Sequence, residues 1–338
     1  MPAFKRVSIT GPNFYETIVK PNLGDLVPDA NFMSGAMGEF TVLDDVADSR
    51  KIVDIKPIGN ILERRDASCK IVYKSVGEAN VRRISTTELY GATQFCRQEF
   101  YQGCLKDWRN GDPVFQTKIL EFFRKAIARD MVSNMYFGDV ARVEAANAVW
   151  STNKFDGVFT QWKKYIAAGD ISGDQTFNIP AGDMTPANAK IYLQELYDRR
   201  DDFSRLLLPG ELAFTIDQAW AEAYEEYLIQ TGSQNSEAAN YVQDGVKIRA
   251  YKGIPIMVNK FFNPVLKQIT GQESHFGTLT LRGNYMFATD KNYGEGPNGD
   301  QALIVWYDWE EMTWKYVNFL KAGTGIILPE NASLALPA

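Results

Sequence analysis

DPVFQTKILEFFRKAIARDMVSNMYFG, residues 112–138, is the stretch that decides the fold, because its pattern predicts one long helix. Asp112 can accept hydrogen bonds from the free N–H groups of a first turn, Pro113 suits that turn, and Gly138 suits a helix end. At 1.5 Å per residue the helix would be roughly 35 to 40 Å long, enough for the spine of a domain. Apolar residues recur at three- and four-residue steps and predict one broad apolar side, formed by Phe115, Ile119, Phe122, Phe123, Ala126, Ile127, Met131 and Met135.

The composition is that of a globular protein with more than one packed unit. The chain has 338 residues, of which 45% are hydrophobic and 23% charged. No apolar run reaches the roughly 20 residues of a membrane-spanning helix, and the first residues lack the apolar stretch of a signal peptide. These features predict a protein that is made and kept in the cytoplasm.

Charge and cysteine content exclude several functions. The net charge is −6 and the basic residues are scattered or in short pairs, which argues against tight DNA binding. Three cysteines without a C-x-x-C pair argue against a disulfide framework or a zinc site. We expect Cys69, Cys96 and Cys104 to be small buried side chains.

The N-terminal quarter of the chain predicts an arm followed by a hairpin. Residues 1–49 are interrupted by proline and glycine but keep aromatic residues that need burial, which is typical of a segment lying across another surface. KIVDIKPI, residues 51–58, and CKIVYKSV, residues 69–76, predict a two-stranded hairpin within residues 50–90. Two strands alone are too thin to be stable in water, so the hairpin needs a partner surface.

The remaining sequence predicts helices and strands in mixed order. We expect a short helix over residues 92–108, a turn followed by a helix in FDGVFTQWKKYIAAGD (residues 155–170), and one helix over residues 187–208 that Thr185-Pro186 opens. Asp217 should cap the next helix. YKGIPIMVNKFF (residues 251–262) and GTLTLRGNYMFATD (residues 277–290) predict strands. Three more strands are predicted over residues 302–311, 313–323 and 324–330. Residues 151–300 would then form an α+β domain inserted into another domain.

No catalytic constellation is evident, and we expect neither enzymatic activity nor a cofactor. His275 is the only histidine, and its polar surroundings, QESHFG, predict a solvated side chain. DKNYGEGPNGD, residues 290–300, resembles a calcium loop but is followed by Gln301 where such a loop needs glutamate, so we expect no metal. The aromatic residues of 303–319 suit core packing better than a sugar platform. Carboxylate pairs suit solvated faces better than a hydrolase site, and they are Asp44-Asp45, Asp201-Asp202, Glu225-Glu226 and Glu310-Glu311.

The order of these segments resembles the major capsid proteins of tailed bacteriophages, which have the Hong Kong 97 phage-type fold. GDPVFQTKILEFFRKAIARDMVSNMYFGD (residues 111–139) looks like the family's spine helix and its terminal turn. FDGVFTQ resembles the entry to the axial domain, and YKGIPIMVNKFF is similar to a late strand of that domain. KYVNFLKAGTGIILPENASLAL (residues 315–336) looks like the last strand of the peripheral domain.

The resemblance implies an α+β fold with four parts. They are an N-terminal arm (1–49), an extended β-hairpin loop (50–90), a peripheral domain (91–150 and 301–338) containing the spine helix 112–138, and an inserted axial domain (151–300). It further implies self-assembly into hexamers and pentamers of an icosahedral shell around double-stranded DNA, which is held non-specifically. The partners would be a separate scaffolding protein, a portal and auxiliary head proteins; a chain that had already been trimmed is the alternative to a separate scaffold. Assembly would take place in the bacterial cytoplasm, without membrane contact. Candidate inter-subunit residues are Phe4, Phe14, Tyr15, Arg64, Arg65, Arg82 and Arg83.

Three alternatives remain open at this point. An encapsulin-like compartment shares the same fold and differs in enclosing protein cargo. Another structural virion component, such as a tail or connector protein, would form tubes or rings. A soluble hydrolase would use the carboxylate pairs in a cleft between the two domains and would be a discrete monomer or dimer.

Overall fold

The structure is a computed structural model that describes residues 39–43, 45–57, 77–96, 113–233, 240–243, 246–290, 303–308, 310–311 and 313–338. Most of the predicted arm, the predicted hairpin tip and the calcium-like loop after Asp290 lie outside these residues. So do Cys69 and Cys104, and the side chain of Cys96. Within the described part of the chain, no helix combines the length and hydropathy needed to cross a bilayer.

The described residues form fourteen strands and six helices of at least five residues. The strands are β1 (Phe40–Leu43), β2 (Ser49–Pro57), β3 (Gly77–Ser85), β4 (Thr87–Cys96), β5 (Thr176–Ile179), β6 (Leu212–Asp217), β7 (Asn240–Gln243), β8 (Val246–Tyr251), β9 (Ile254–Asn259), β10 (Gly277–Leu281), β11 (Tyr285–Thr289), β12 (Leu303–Asp308), β13 (Thr313–Ile326) and β14 (Ser333–Pro337). The helices are α1 (Pro113–Phe137), α2 (Val158–Ala168), α3 (Pro186–Asp198), α4 (Asp202–Leu206), α5 (Gln218–Gln230) and α6 (Phe262–Thr270).

Helix α1 confirms the long helix predicted from the sequence. It starts at Pro113 and ends directly before Gly138, where a Cβ atom would overlap the carbonyl oxygen of Phe155. Ile127, Met131 and Met135 are buried as predicted, but Ala126 is exposed. From Met131 to Gly138 every residue is buried. The end of α1 is therefore enclosed on all sides and lies inside the larger of the hydrophobic clusters.

A five-stranded sheet is organised around β13. Strands β12 and β11 pair with successive parts of one edge of β13, β4 pairs antiparallel along the other edge, and β1 adds to β11 in parallel. The helix predicted over residues 92–108 is wrong for residues 92–96, which belong to β4. Their partners are Thr313–Val317, more than 200 residues away, and such a distant pairing overrides local helix propensity. Residues 97–108 lie outside the described residues.

A seven-stranded sheet has the order β5-β14-β10-β6-β9-β8-β7 and packs against α3 and α5. A second hydrophobic cluster, which lies between this sheet and its helices, includes Trp220, Phe214 and Leu193. Strands from the two sides of the domain boundary predicted at residue 300 pair with each other. Strand β11, before the boundary, pairs with β13 in the five-stranded sheet, and β14, after the boundary, lies between β5 and β10. The division of the chain into domains stays a prediction.

Three further boundaries differ from those predicted. The helix expected over residues 187–208 is two helices, because Asp201 accepts the Phe203 and Ser204 N–H groups and starts α4. The strand expected to run to residue 262 ends at Asn259, and Phe262 begins α6. Strands expected over 313–323 and 324–330 are one strand, β13, with Gly323 inside it. A Cβ atom at Gly323 would overlap the Ser85 carbonyl oxygen, so this glycine permits a close backbone approach and does not mark a turn.

Candidate assembly surfaces

The single histidine is a buried structural residue, which corrects the prediction that it is solvated. His275 is 4% exposed, and its Nδ1 lies 3.2 Å from Oδ2 of Asp217, which is fully buried. Asp217 also accepts hydrogen bonds from the backbone N–H groups of Trp220, at the start of α5, and Phe276. This pair joins β6, α5 and the segment before β10 within the core. It is enclosed, so it is not placed to reach a substrate.

The carboxylate pairs considered for a hydrolase lie on separate elements. Asp201 caps α4 and Asp202 is exposed, while Glu225 and Glu226 are exposed on α5. Glu310 and Glu311 are exposed in the turn between β12 and β13, and Asp44 lies outside the described residues. No group of three or more histidine, cysteine, aspartate or glutamate side chains in the described part of the chain could hold a metal ion.

A hairpin is present within residues 50–90, but the predicted pairing of its strands is wrong. Strand β2 pairs antiparallel with β3, from Ser49↔Ser85 to Pro57↔Gly77, and not with residues 69–76, because this register brings Ile52 and Ile84 together against the body of the chain. One face of the hairpin rests on the body of the chain: Ile84 is buried and Ile52 packs beside it on the cluster that contains Met286. The observed second strand starts at Gly77, immediately after the predicted one, and residues 58–76 lie outside the described residues. The base of the hairpin is therefore anchored by apolar contacts to the sheet that contains β11.

Arg82 is on the inner face of the hairpin and binds within its own chain. Its Nη2 donates to Oε2 of Glu330 over 3.0 Å, its Nη1 lies 3.9 Å from Oδ2 of Asp170, and its guanidinium stacks over the ring of Tyr165. Arg83, the next residue, lies on the opposite face and is exposed. The other five candidate contact residues, Phe4, Phe14, Tyr15, Arg64 and Arg65, lie outside the described residues.

A cleft of about 490 Å³ opens between the hairpin, α2 and β13. Its charged residues are Arg82, Arg83, Lys164 and Asp156. Lys164 pairs with Asp156, and Arg82 is held by Glu330. Three of these four charged residues are therefore paired within the chain.

The outer face of the hairpin exposes two pairs of directly opposed residues. Val53 and Val81 face each other and are 60% and 59% exposed. Two residues nearer the base on each strand, Lys51 and Arg83 also face each other and are exposed. Like charges placed directly opposite each other on a sheet are unfavourable. We call these four residues the hairpin patch.

The outer face of the five-stranded sheet exposes a pair of aromatic residues. Tyr90 on β4 is 74% exposed and faces Phe319 on β13, which is 39% exposed. Two positions along, Glu88 faces Lys321, and the two side chains form an ion pair of 3.2 Å. We call these four residues the sheet patch. The aromatic residues of 303–319 were expected to pack in the core, and this is confirmed for Tyr316, which is 5% exposed, but wrong for Phe319.

Glu39 forms a buried junction between three elements. The Tyr136 hydroxyl at the end of α1 donates to Oε2 of Glu39, and the Thr215 hydroxyl on β6 donates to Oε1 over 3.4 Å. Burial raises the pKa of Glu39 to about 7, and the hydrogen bonds from Tyr136 and Thr215 only partly oppose this effect. Burial also raises the pKa of Tyr136 well above its ordinary value. No local pattern indicates this junction, because Glu39 stands in the predicted arm.

Solved structures of other proteins have a fold similar to that of this chain. A chain of the structure "Satellite phage P4 procapsid including size determination (Sid) protein" matches with a TM-score of 0.55 and 8% identity, over 94% of this chain and 96% of the other. The chain has the fold of a phage capsid protein. This match confirms the prediction of a mixed α+β capsid fold, and the roles of the individual domains stay predictions.

Other solved structures match over similar lengths with lower scores. The holo-SrpI encapsulin complex from Synechococcus elongatus PCC 7942 gives a TM-score of 0.49 at 9% identity, over 92% of this chain and 90% of the other. The mature capsid of bacteriophage PhiM1 gives 0.47 at 12% identity, over 92% and 89%. Scores below 0.5 are too low to distinguish between these two relatives. No protein-family model and no curated protein sequence matches the chain.

Proposed function

We propose that this chain is the major capsid protein of a tailed bacteriophage and that it assembles into the icosahedral shell enclosing double-stranded DNA. The observation that carries the proposal is the likeness to a chain of the P4 procapsid, which extends over nearly the full length of both chains. A likeness confined to one sheet would indicate a shared substructure only. This one covers 94% of this chain and 96% of the other, so it is not confined to a small part of the fold.

The hairpin supports an assembly role on physical grounds. Its inner face is satisfied within the chain by Ile84 and Arg82, whereas its outer face leaves two valines exposed side by side. Two-stranded sheets need a covering surface to be stable in water. A neighbouring copy in a closed shell would supply that surface, so ordering of the hairpin is coupled to assembly.

The parts of the chain take the roles that the resemblance implies. Residues 1–49 act as the N-terminal arm, 50–90 as the extended loop, 91–150 with 301–338 as the peripheral domain, and 151–300 as the axial domain. Helix α1 is the spine helix. In this division β14 belongs by sequence to the peripheral domain, although it pairs with β5 and β10 of the range 151–300.

The charge of the chain suits a container for DNA. A net charge of −6 without a basic cluster allows DNA to be enclosed without tight phosphate contacts. Scaffolding, portal and auxiliary head proteins are the expected partners, and assembly takes place in the bacterial cytoplasm before the protein becomes part of the virion.

Sedimentation velocity and negative-stain electron microscopy of the purified chain, with and without a crowding agent, test the proposal. Closed shells, or hexamer and pentamer rings, are the expected result. A discrete monomer or dimer under all conditions would overturn it. Shells purified from the host that contain protein cargo in place of DNA would indicate the encapsulin alternative.

A further inference from the structure

Strand β1 is held to the body of the chain at few points. It is an edge strand of four residues and, among the described residues, it pairs only with β11. This pairing is parallel, which is slightly less stable per residue than antiparallel pairing. Thr41 is exposed and its hydroxyl donates to the Gly283 carbonyl oxygen over 3.1 Å, and the next two residues are partly buried. The attachment of β1 therefore depends largely on its two buried residues, Glu39 and Phe40.

The carboxyl group of Glu39 faces uncharged partners on the elements packed against it. Tyr136 of α1 donates to Oε2, and Thr215 of β6 donates to Oε1 over 3.4 Å. Asn259 of β9 lies beside the Tyr136 hydroxyl, and the phenol of Tyr285 on β11 is within electrostatic range of Glu39. No cation in the described part of the chain contributes to the ionisation of this carboxyl group.

The buried carboxylate of Asp217 has donors that Glu39 lacks. Asp217 lies two residues beyond Thr215 on β6, so the two side chains are on the same face of the sheet. Two backbone N–H groups donate to Asp217, and Nδ1 of His275 lies 3.2 Å from its Oδ2. Within the described residues, Glu39 is reached by two hydroxyl groups. A negative charge on Glu39 is therefore much less compensated than one on Asp217.

The two carboxyl groups also differ in how they can reach water. Asp217 is on a strand that has a neighbour on each side, β10 and β9, so its exposure would require the seven-stranded sheet to open. Glu39 directly precedes an edge strand, so separation of β1 from β11 is enough to expose it. Local opening of this kind costs less free energy than global unfolding, because it breaks few buried contacts.

We propose that Glu39 is a proton-dependent latch: β1 stays on the body of the chain while this carboxyl group is protonated, and it separates from β11 when the group ionises. An ionised carboxylate without a cation beside it is costly to bury, and separation removes this cost by returning the side chain to water. Release of β1 loosens the end of the predicted arm while both sheets stay folded. The latch acts within a single subunit, so it goes beyond the proposed function and does not depend on it.

The direction of the switch follows from which form binds the proton. Burial raises the pKa of Glu39 to about 7, and the hydrogen bonds from Tyr136 and Thr215 only partly oppose this effect. The closed form therefore binds the proton more tightly than the open form, in which the side chain is in water. Low pH favours the closed form, and β1 is released as pH rises through about 7.

Hydrogen–deuterium exchange of the unassembled subunit tests the latch. Because the chemical exchange rate itself depends on pH, the wild type is compared with Glu39→Gln at each pH. Residues 40–43 should exchange equally in the two proteins at about pH 6 and about tenfold faster or more in the wild type at about pH 8.5. Residues 277–281 of β10 should not differ, and Glu310→Gln, at an exposed glutamate, should behave as the wild type.

Tyr136→Phe supplies a second test that a purely structural role of the junction would fail. It keeps the aromatic ring but removes one of the two hydrogen bonds that lower the pKa of Glu39, so the midpoint of β1 release should move to higher pH. A merely loosened junction would accelerate the exchange of residues 40–43 by the same factor at every pH. That result, or an unchanged midpoint, would overturn the latch, and the comparison does not require Glu39→Gln to fold.

Two outcomes of the exchange experiment would also overturn the proposal. One is equal exchange of residues 40–43 in the wild type and Glu39→Gln at about pH 8.5. The other is faster wild-type exchange spread over both sheets, because it would show a loss of stability of the whole subunit and no local release. Neither outcome bears on whether the chain forms shells, so failure of the latch and failure of the proposed function are distinguishable.

Discussion

The Tyr136 hydroxyl donates a hydrogen bond to the Glu39 carboxyl group, and this contact ties the residue before β1 to the last turn of α1. Both side chains are buried, at 1% and 6% exposure. Phe40, the next residue, packs edge-on against the Tyr136 ring with a centroid distance of 5.3 Å. The end of the arm is thus held by one polar and one aromatic contact to the long helix.

The titration of Glu39 should make the subunit less stable as pH rises. Glu39 interacts with Tyr136, Thr215 and Tyr285, which are uncharged near neutral pH, and no cation among the described residues contributes to the shift of its pKa. Its pKa rises from 4.5 to about 7 on folding, so its contribution is fully present below pH 4.5 and is lost as pH rises through about 7. At about 1.4 kcal/mol per pKa unit the loss is on the order of 3 kcal/mol.

Urea unfolding of the unassembled subunit measures this effect. Glu39→Gln should remove the part of the pH dependence that arises between about pH 4.5 and about pH 7. Glu310→Gln, at an exposed glutamate, serves as the control and should behave as the wild type. An equal pH dependence in wild type and Glu39→Gln would contradict the assignment.

Gly138→Ala should destabilise the end of α1. A Cβ atom there would overlap the Phe155 carbonyl oxygen, a backbone atom that cannot rotate away. Overpacking of this kind costs about 1–3 kcal/mol, or more where backbone must move. Gly173→Ala is the matched control, since a Cβ atom at Gly173 meets open space. Thermal unfolding should separate the two variants, and equal midpoints would contradict the prediction.

Arg82 and Arg83 should have separable roles although they are adjacent. Arg82→Ala removes a charged hydrogen bond to Glu330 and should cost about 1–3 kcal/mol of subunit stability. Arg83→Ala alters an exposed residue and should change stability by less than about 0.5 kcal/mol while reducing shell yield. Denaturant unfolding and shell yield are measured for both variants. The reverse order of stability effects would show that the two faces of the hairpin are wrongly assigned.

Deletion of the hairpin tip should separate folding from assembly. Residues 60–67 lie outside the described residues, and the sequence predicts that they extend the hairpin away from the body. A chain without them should keep the thermal unfolding of the wild-type subunit and form no shells, as judged by sedimentation velocity. Normal shells from the deletion would show that the tip makes no essential contact.

Local signals in the sequence predicted much of the fold. The bounds of α1 followed from Pro113 and Gly138, and the cap of α5 followed from Asp217. Distant pairings gave no such signal. Residues 92–96 have a helical pattern but lie in β4, because β13 supplies their hydrogen-bond partners.

The candidate surfaces could be predicted only in part. The sequence indicated a hairpin and its arginines, but which face each arginine occupies depends on the strand register, where Arg82 opposes Ile52 and Arg83 opposes Lys51. The pairing of Tyr90 with Phe319 joins residues 229 positions apart, so no local pattern could reveal it. His275 was misassigned because its polar neighbours hid the buried partner, Asp217.

Cryo-electron microscopy of particles formed by the wild-type chain tests the shell proposal most directly. We expect a closed icosahedral lattice in which the outer face of each β2–β3 hairpin is covered by a neighbouring copy. Particles that are tubes or open rings, or a chain that stays a discrete monomer with that hairpin face uncovered, would contradict it.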